Sequence, residues 1–192
     1  MMQAELESTT DGWRGVFRAM ASPCEVLIRG GDAVHARRIL HRVRDEALRI
    51  EHKFSRYRDD NIVFAINNAH GHWVDLDPET ERLLDYADQC YRLSEGGFDI
   101  TSGVLRRAWH FDGSDRLPSP EQVDSALALV GWHRVERESG RIRLAPGMEI
   151  DFGGIGKGLA LEVAAEVMKQ YGVTSAIVHA GTSTVYALRA PP

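Results

Sequence analysis

The order of strands and helices along these 192 residues predicts an α+β fold. Three observations carry that reading. Two β-favouring runs, Trp13 to Ala19 and Cys24 to Arg29, are interrupted by Met20-Ala21-Ser22-Pro23 and read as a hairpin, which joins antiparallel strands. The helices that follow each carry one apolar stripe and need a sheet face to cover. Strand-helix-strand units are too few for a doubly wound parallel sheet.

Taken in order, Met1 to Gly12 is polar and acidic and reads as a disordered segment, so the folded domain is expected over residues 13–192. In the hairpin, proline is expected to set the turn, and Gly30-Gly31 closes the second strand. Asp32 then caps a helix to about Phe54, whose Ala36, Ile39, Leu40, Val43, Ala47, Ile50 and Phe54 recur at three and four residues. After a polar loop and a short helical or turn segment, Val63 to Asn68, a short strand is expected within His70 to Leu76. Asp77-Pro78 places a cap before a proline at the first helical position, and Gly96-Gly97 stops the helix so opened. A short helix over Glu121 to Val130 and two strands, Val135 to Arg137 and Arg141 to Leu144, lead into the strand-like run Met148 to Phe152. The last helix runs from about Lys157 to Tyr171 with Gly172 as its stop, and strands at Ser175 to Ala180 and Thr184 to Leu188 pair back across Gly181-Thr182-Ser183.

A formal charge of -5 gives no support for binding nucleic acid or an anionic membrane. The arginines from Arg37 to Arg49 are interleaved with Asp45 and Glu46, as on a solvated helix face. Cys24 and Cys90 form no CxxC pair, which indicates neither a disulfide framework nor a zinc knuckle. No basic and apolar leader, lipid-accepting cysteine or membrane-length apolar run is visible, so a cytoplasmic chain without membrane insertion is expected.

Two stretches carry chemistry. Asp151-Phe152-Gly153-Gly154-Ile155-Gly156-Lys157-Gly158 packs four glycines, an acid and a base into eight residues before a helix. Backbone N-H groups without flanking Cβ atoms, a lysine and the positive end of a helix dipole together suit a phosphate. The spacing fits neither the P-loop nor the Rossmann pattern, and the alternative reading is a glycine turn that packs a strand on a helix. Phe98-Asp99-Ile100-Thr101 sets an acid and a hydroxyl two residues apart, on one side of an extended backbone. That pair reads either as a ligand site or as a turn in which both side chains cap local N-H groups.

Together these segments resemble the ApbE family, the FAD:protein FMN transferases, from about Trp13 to the last residue. Met20-Ala21-Ser22 stands where the family has Met-Gly-Thr, and Phe54-Ser55-Arg56-Tyr57 with Ile66-Asn67 matches its Ser-x-Tyr and Leu-Asn pair. Gly96-Gly97-Phe98-Asp99-Ile100-Thr101 is similar to its Gly-Gly-x-Phe-Asp-x-Thr, and Trp109-x-Phe111 recurs. The glycine stretch looks like Asp-Leu-Gly-Gly-Ile-Ala-Lys-Gly, and Glu162 falls where the family usually has Asp. The departures are Val104-Leu105 for Pro-Leu, and Val178-His179-Ala180-Gly181-Thr182-Ser183 without a second glycine or the following acid or amide. Family members usually continue for about another hundred residues, with a His-x-x-Asp-Pro-x-x-Gly stretch and an Asp-x-x-x-Thr metal pair, so the family's C-terminal third is expected to be absent.

The resemblance implies an antiparallel sheet with helices on one face, T-fold-like. It also implies Mg2+-dependent transfer of FMN from FAD to a Thr or Ser hydroxyl of an acceptor flavoprotein, with AMP leaving. It assigns Met20, Tyr57, Gly97, Phe98, Asp99, Asp151 and Lys157 to the flavin nucleotide and the Gly154 carbonyl to the metal, and identifies no catalytic base. One carbonyl cannot hold Mg2+, which takes six hard oxygen ligands, so the others are expected from outside these residues. Two other readings stay open: a member that binds FAD without transfer, and a hydrolase that splits FAD into FMN and AMP.

Overall fold

The computed structural model describes residues 4–109, 113, 115 and 117–189. The chain divides into two compact units, 1–53 with 155–192, and 54–154.

The first unit is built on a five-stranded sheet in the order β1-β2-β3-β7-β8, antiparallel at every pairing. Its strands are β1 (Glu5–Thr9), β2 (Gly12–Ala19), β3 (Ser22–Arg29), β7 (Ala176–Ala180) and β8 (Thr184–Leu188). Two helices, α1 (Ala33–Phe54) and α5 (Gly156–Gln170), supply the other half of its core. Alternate residues Phe17, Ala19, Cys24, Val26, Ile28, Val178 and Ala180 meet Ile39, Leu40 and Val43 of α1 and Leu161, Ala164 and Met168 of α5 on one face of the sheet. The period of two in the strands thus meets the period of three and four in the helices, as an α+β layer requires. Gly15 lets α1 come close, since a Cβ there would lie 2.5 Å from Leu40 Cδ1.

Two local expectations are corrected here. The segment 1–12, read as disordered, contains β1, which pairs with β2 in the register Glu5↔Val16 to Thr9↔Gly12. Ladder hydrogen bonds, the inward packing of Ala4 and Leu6, and the Arg14–Glu7 ion pair at 3.2 Å hold a sequence too polar to be recognised by composition. The hairpin turn is Met20-Ala21 alone, closed by Ala19↔Ser22, and Pro23 lies inside β3 opposite Arg18. Proline therefore does not set the turn. Met20 and Ala21 take the left-handed region at φ 52° and 55°, the hand that a two-residue hairpin loop demands.

The second unit holds a three-stranded antiparallel sheet, β4-β6-β5, from Val74–Asp75, Arg141–Arg143 and Glu136–Glu138. Around it stand α2 (Ile62–Asn67), α3 (Pro78–Leu93), α4 (Pro120–Leu127) and a 3-10 run, Ile100–Arg107. Asp77 caps α3 through the N-H groups of Glu79 and Thr80, with Pro78 in the first turn as the sequence predicts. The strand expected within 70–76 is only two residues long, because His70 and Gly71 take positive φ and turn the chain first. Phe54 and Phe152 meet edge to face at 5.4 Å within a core that includes Ile66, Leu84, Val104, Ile142 and Ile150. No helix among the described residues is long and apolar enough to cross a membrane.

Candidate functional site

Within the second unit, the run Met148 to Phe152, expected to be strand-like, belongs to no strand or ladder. Its backbone is satisfied by a side chain instead: Ile150 N-H donates to Asn67 Oδ1 at 2.8 Å, and Asn67 Nδ2 donates back to the Ile150 carbonyl at 3.0 Å. Asp151 N-H donates to the Ile100 carbonyl at 2.9 Å, which ties this run to the Phe98–Thr101 segment. The Asp151 carboxylate is then held at both oxygens. Oδ1 accepts the Gly153 N-H at 2.8 Å and Oδ2 accepts from Arg56 Nη1 at 3.3 Å.

Arg56 makes more than that bond. Nη1 also donates to the Gly103 carbonyl at 2.7 Å, and Nη2 donates to Glu149 Oε2 at 2.9 Å. Glu149 Oε1 accepts from Arg107 Nε at 2.9 Å and Nη2 at 2.5 Å. Gly103 is needed for this arrangement, because a Cβ there would stand 2.7 Å from Asp151 Cβ and 3.1 Å from Arg56 Nη1.

The Asp99 and Thr101 pair has the geometry of a cap. Asp99 is extended but Thr101 is already in the 3-10 run, so the two do not sit on one side of an extended strand. Asp99 Oδ1 accepts from Thr101 N at 2.7 Å and Oγ1 at 2.6 Å, and Oδ2 accepts the Trp132 N-H at 2.9 Å. Thr101 is fully buried, and its Oγ1 accepts the Gly131 N-H at 2.8 Å. Just before them, Gly97 N-H donates to the Ser94 carbonyl at 2.9 Å and Phe98 N-H to Ser94 Oγ at 2.8 Å. The Phe98 ring then covers Gly154. Tyr57 is exposed, with the Arg106 guanidinium 5.1 Å above its ring. Trp109 is described, but Phe111, its partner in the resemblance, lies outside the described residues.

Met20 and Lys157 stand in the first unit. Lys157 Nζ is 3.8 Å from the point where a Cβ on Gly181 would lie, and Ser22 Oγ is 3.2 Å from that point. Lys157, Ser22 and Gly181 therefore share one end of the sheet, beside the strained Met20-Ala21 turn. Backbone strain of about 1–2 kcal/mol per left-handed residue marks places where something other than local preference decides the conformation. Beneath the turn, the Cys24 thiol lies 3.8 Å from the Ala19 and Ser22 carbonyls, and burial pushes its pKa up and keeps it neutral. Lys157 forms no ion pair or hydrogen bond among the described residues.

The N-terminus of α5 is also open. Asp32, Asn61, Asp77 and Ser119 cap the four preceding α-helices, whereas Ile155 offers α5 no side-chain hydrogen bond and its first turn holds no acid. Cβ atoms on Gly156 and Gly158 would meet nothing within 4 Å. The glycine stretch thus has two halves. Gly153 and Gly154 are engaged by Asp151 and Phe98, as in the turn reading, while Gly156 to Gly158 leave unfilled space, free N-H groups and a lysine, which together can receive an anion.

In the sequence Arg56 stands only as the spacer between Ser55 and Tyr57, Ser22 and Gly181 enter only as members of motif stretches, and nothing singles out Gly103 or Glu149. A glycine inside a helical run was the one available signal for Gly103. Among the described residues no group of three His, Cys, Asp or Glu side chains is placed to hold a metal ion.

The ApbE family profile matches residues 20–191. A Salmonella typhimurium FAD:protein FMN transferase is 26% identical over 178 residues, covering 85% of this chain and 49% of the relative. A Chlamydia pneumoniae protein of the same name is 32% identical over 103 residues, covering 51% and 32%. The crystal structure of the ApbE protein from Thermotoga maritima superposes with a TM-score of 0.83 at 28% identity, over 97% of this chain and 59% of that one. The Pseudomonas stutzeri flavinyl transferase ApbE in its apo form gives 0.81 at 25%, over 97% and 62%. The chain spans about half the length of the Salmonella relative it matches.

Proposed function

The chain belongs to the ApbE family, and from that premise we propose that it binds FAD and serves transfer of FMN to a Thr or Ser hydroxyl of an acceptor flavoprotein. The acceptor oxygen forms a bond to the FMN-side phosphorus, the bond from that phosphorus to the bridging oxygen breaks, and AMP leaves with that oxygen as the hydroxyl proton passes to a base. Such transfer depends on positioning and charge neutralisation more than on covalent help from the protein.

The observation that carries the reading is the uncapped N-terminus of α5 with Lys157, which has no ion-pair partner among the described residues, in its first turn. Free N-H groups, the helix dipole and a lysine suit the pyrophosphate. We assign Met20 and Lys157, and in the other unit Tyr57, Gly97, Phe98, Asp99 and Asp151, to the flavin nucleotide. Asp99 and Asp151 act there by shaping the backbone, since their oxygens accept internal hydrogen bonds.

We also assign the Gly154 carbonyl to Mg2+. The residues present do not make a Mg2+ site on their own, because no group of three suitable side chains gathers among the described residues and Asp151 is already engaged at both oxygens. The same donor count favours a second reading, in which these residues bind FAD without completing transfer.

The test supplies FAD, Mg2+ and an acceptor bearing an Asp-x-x-Thr-like motif, and measures flavin fluorescence that survives denaturation of the acceptor together with AMP release. Covalent flavin supports transfer, AMP without it supports hydrolysis, and tight FAD binding with neither supports the second reading. Absence of FAD binding overturns all three.

A further inference from the structure

We propose that Arg56 is a positioning residue that aims the Asp151 carboxylate and thereby sets the turn into the glycine stretch; this rests on the assignment of that stretch to FAD. Its side chain is only 15% exposed, and its fork reaches the Gly103 carbonyl, Glu149 and Asp151 together. Two of those acceptors lie on the run that enters the glycine stretch and the third on the 3-10 run. A planar guanidinium spans such a set, whereas a lysine ammonium is a point charge that must choose among them.

The charges make the roles of the two arginines different. Arg56 and Arg107 both pair with Glu149, whereas among the described residues Arg56 is the arginine that also reaches Asp151. With Oδ2 fixed by Arg56, Oδ1 points at the Gly153 N-H, and that bond turns the backbone toward Gly154. The Asp151 side chain remains 24% exposed, so the guanidinium directs the carboxylate without burying it. The missing Cβ at Gly103 is what leaves room for the guanidinium and the carboxylate to meet.

The experiment compares FAD and riboflavin affinities by fluorescence quenching in the native chain, Arg56→Lys and Arg107→Ala, with thermal midpoints measured without ligand. The native chain is expected to prefer FAD. In Arg56→Lys that preference falls about tenfold, the size of a lost charged hydrogen bond, with riboflavin affinity little changed. Arg107→Ala keeps it. A preference retained in Arg56→Lys, or lost equally in Arg107→Ala, overturns the positioning role alone. No FAD preference in the native chain overturns the functional reading and this inference with it. Should Arg56→Lys fail to fold, Glu149→Gln weakens the Nη2 anchor while keeping the guanidinium, and must show a smaller fall of the same sign; full FAD preference in that variant overturns the proposal.

Discussion

The Cε2 edge of Phe98 lies 2.9 Å from the point where a side chain on Gly154 would begin, so the ring and the glycine are fitted to each other. Gly154→Ala should therefore displace the ring and destabilise the protein by about 1–2 kcal/mol, the cost of modest overpacking. Adding Phe98→Leu should recover part of that loss. A urea midpoint unchanged by Gly154→Ala would mean that the ring yields freely.

Thr101 joins the 3-10 run to Gly131 through one buried hydroxyl, which donates to Asp99 and accepts from the Gly131 N-H. Thr101→Val keeps the shape but leaves that N-H without its acceptor, at an expected cost of about 1–3 kcal/mol. Thr101→Ser should cost less. Equal urea midpoints for native and Thr101→Val would remove the hydroxyl from the account of this unit's stability.

Lys157 and Lys169 lie on the same helix with different surroundings. Lys169 is paired with Glu166 at 2.6 Å on an exposed face, whereas Lys157 has no such partner among the described residues. Lys157→Ala should weaken FAD binding by about 1.5–3 kcal/mol and Lys169→Ala by about zero. Equilibrium titration of flavin fluorescence gives both values, and matching affinities would separate Lys157 from the phosphates.

Glu25 on β3 accepts from Arg14 and lies 3.4 Å from His179 Nε2. Burial opposes its ionisation, but the Arg14 and His179 interactions outweigh that and hold its pKa below the ordinary 4.5. A lowered folded-state value means that the carboxylate contributes stability in full above the unfolded value and loses it as pH falls through the folded one. Acid titration of the thermal midpoint should accordingly be shallower below about pH 4.5 in Glu25→Gln than in the native chain. Superimposable profiles would show that the Arg14–Glu25 pair adds nothing.

Local signals made the elements readable. Asp77-Pro78 opens α3, the spacing of Ile39, Leu40 and Val43 marks the buried stripe of α1, and the run Thr184 to Leu188 coincides with β8. Each depends on neighbours within one or two turns or along one strand. The glycine stretch was legible as a place where chemistry and backbone shape coincide, but not as two halves with different partners. β1 was missed because its stability lies in the ladder with β2 rather than in its composition.

By itself the sequence determined the α+β class, the caps of α1 and α3 and the order of motifs that places the chain in its family, since periodicity, proline and glycine act over a few residues. Only the tertiary structure decided that Asn67 stands in for a strand beside Ile150, 83 residues away, and that Arg56 reaches Asp151 across 95. Hydrogen bonds over such separations leave no periodic trace in the chain. They form only after the cores have brought distant backbone together and left buried or half-buried polar groups that must find partners.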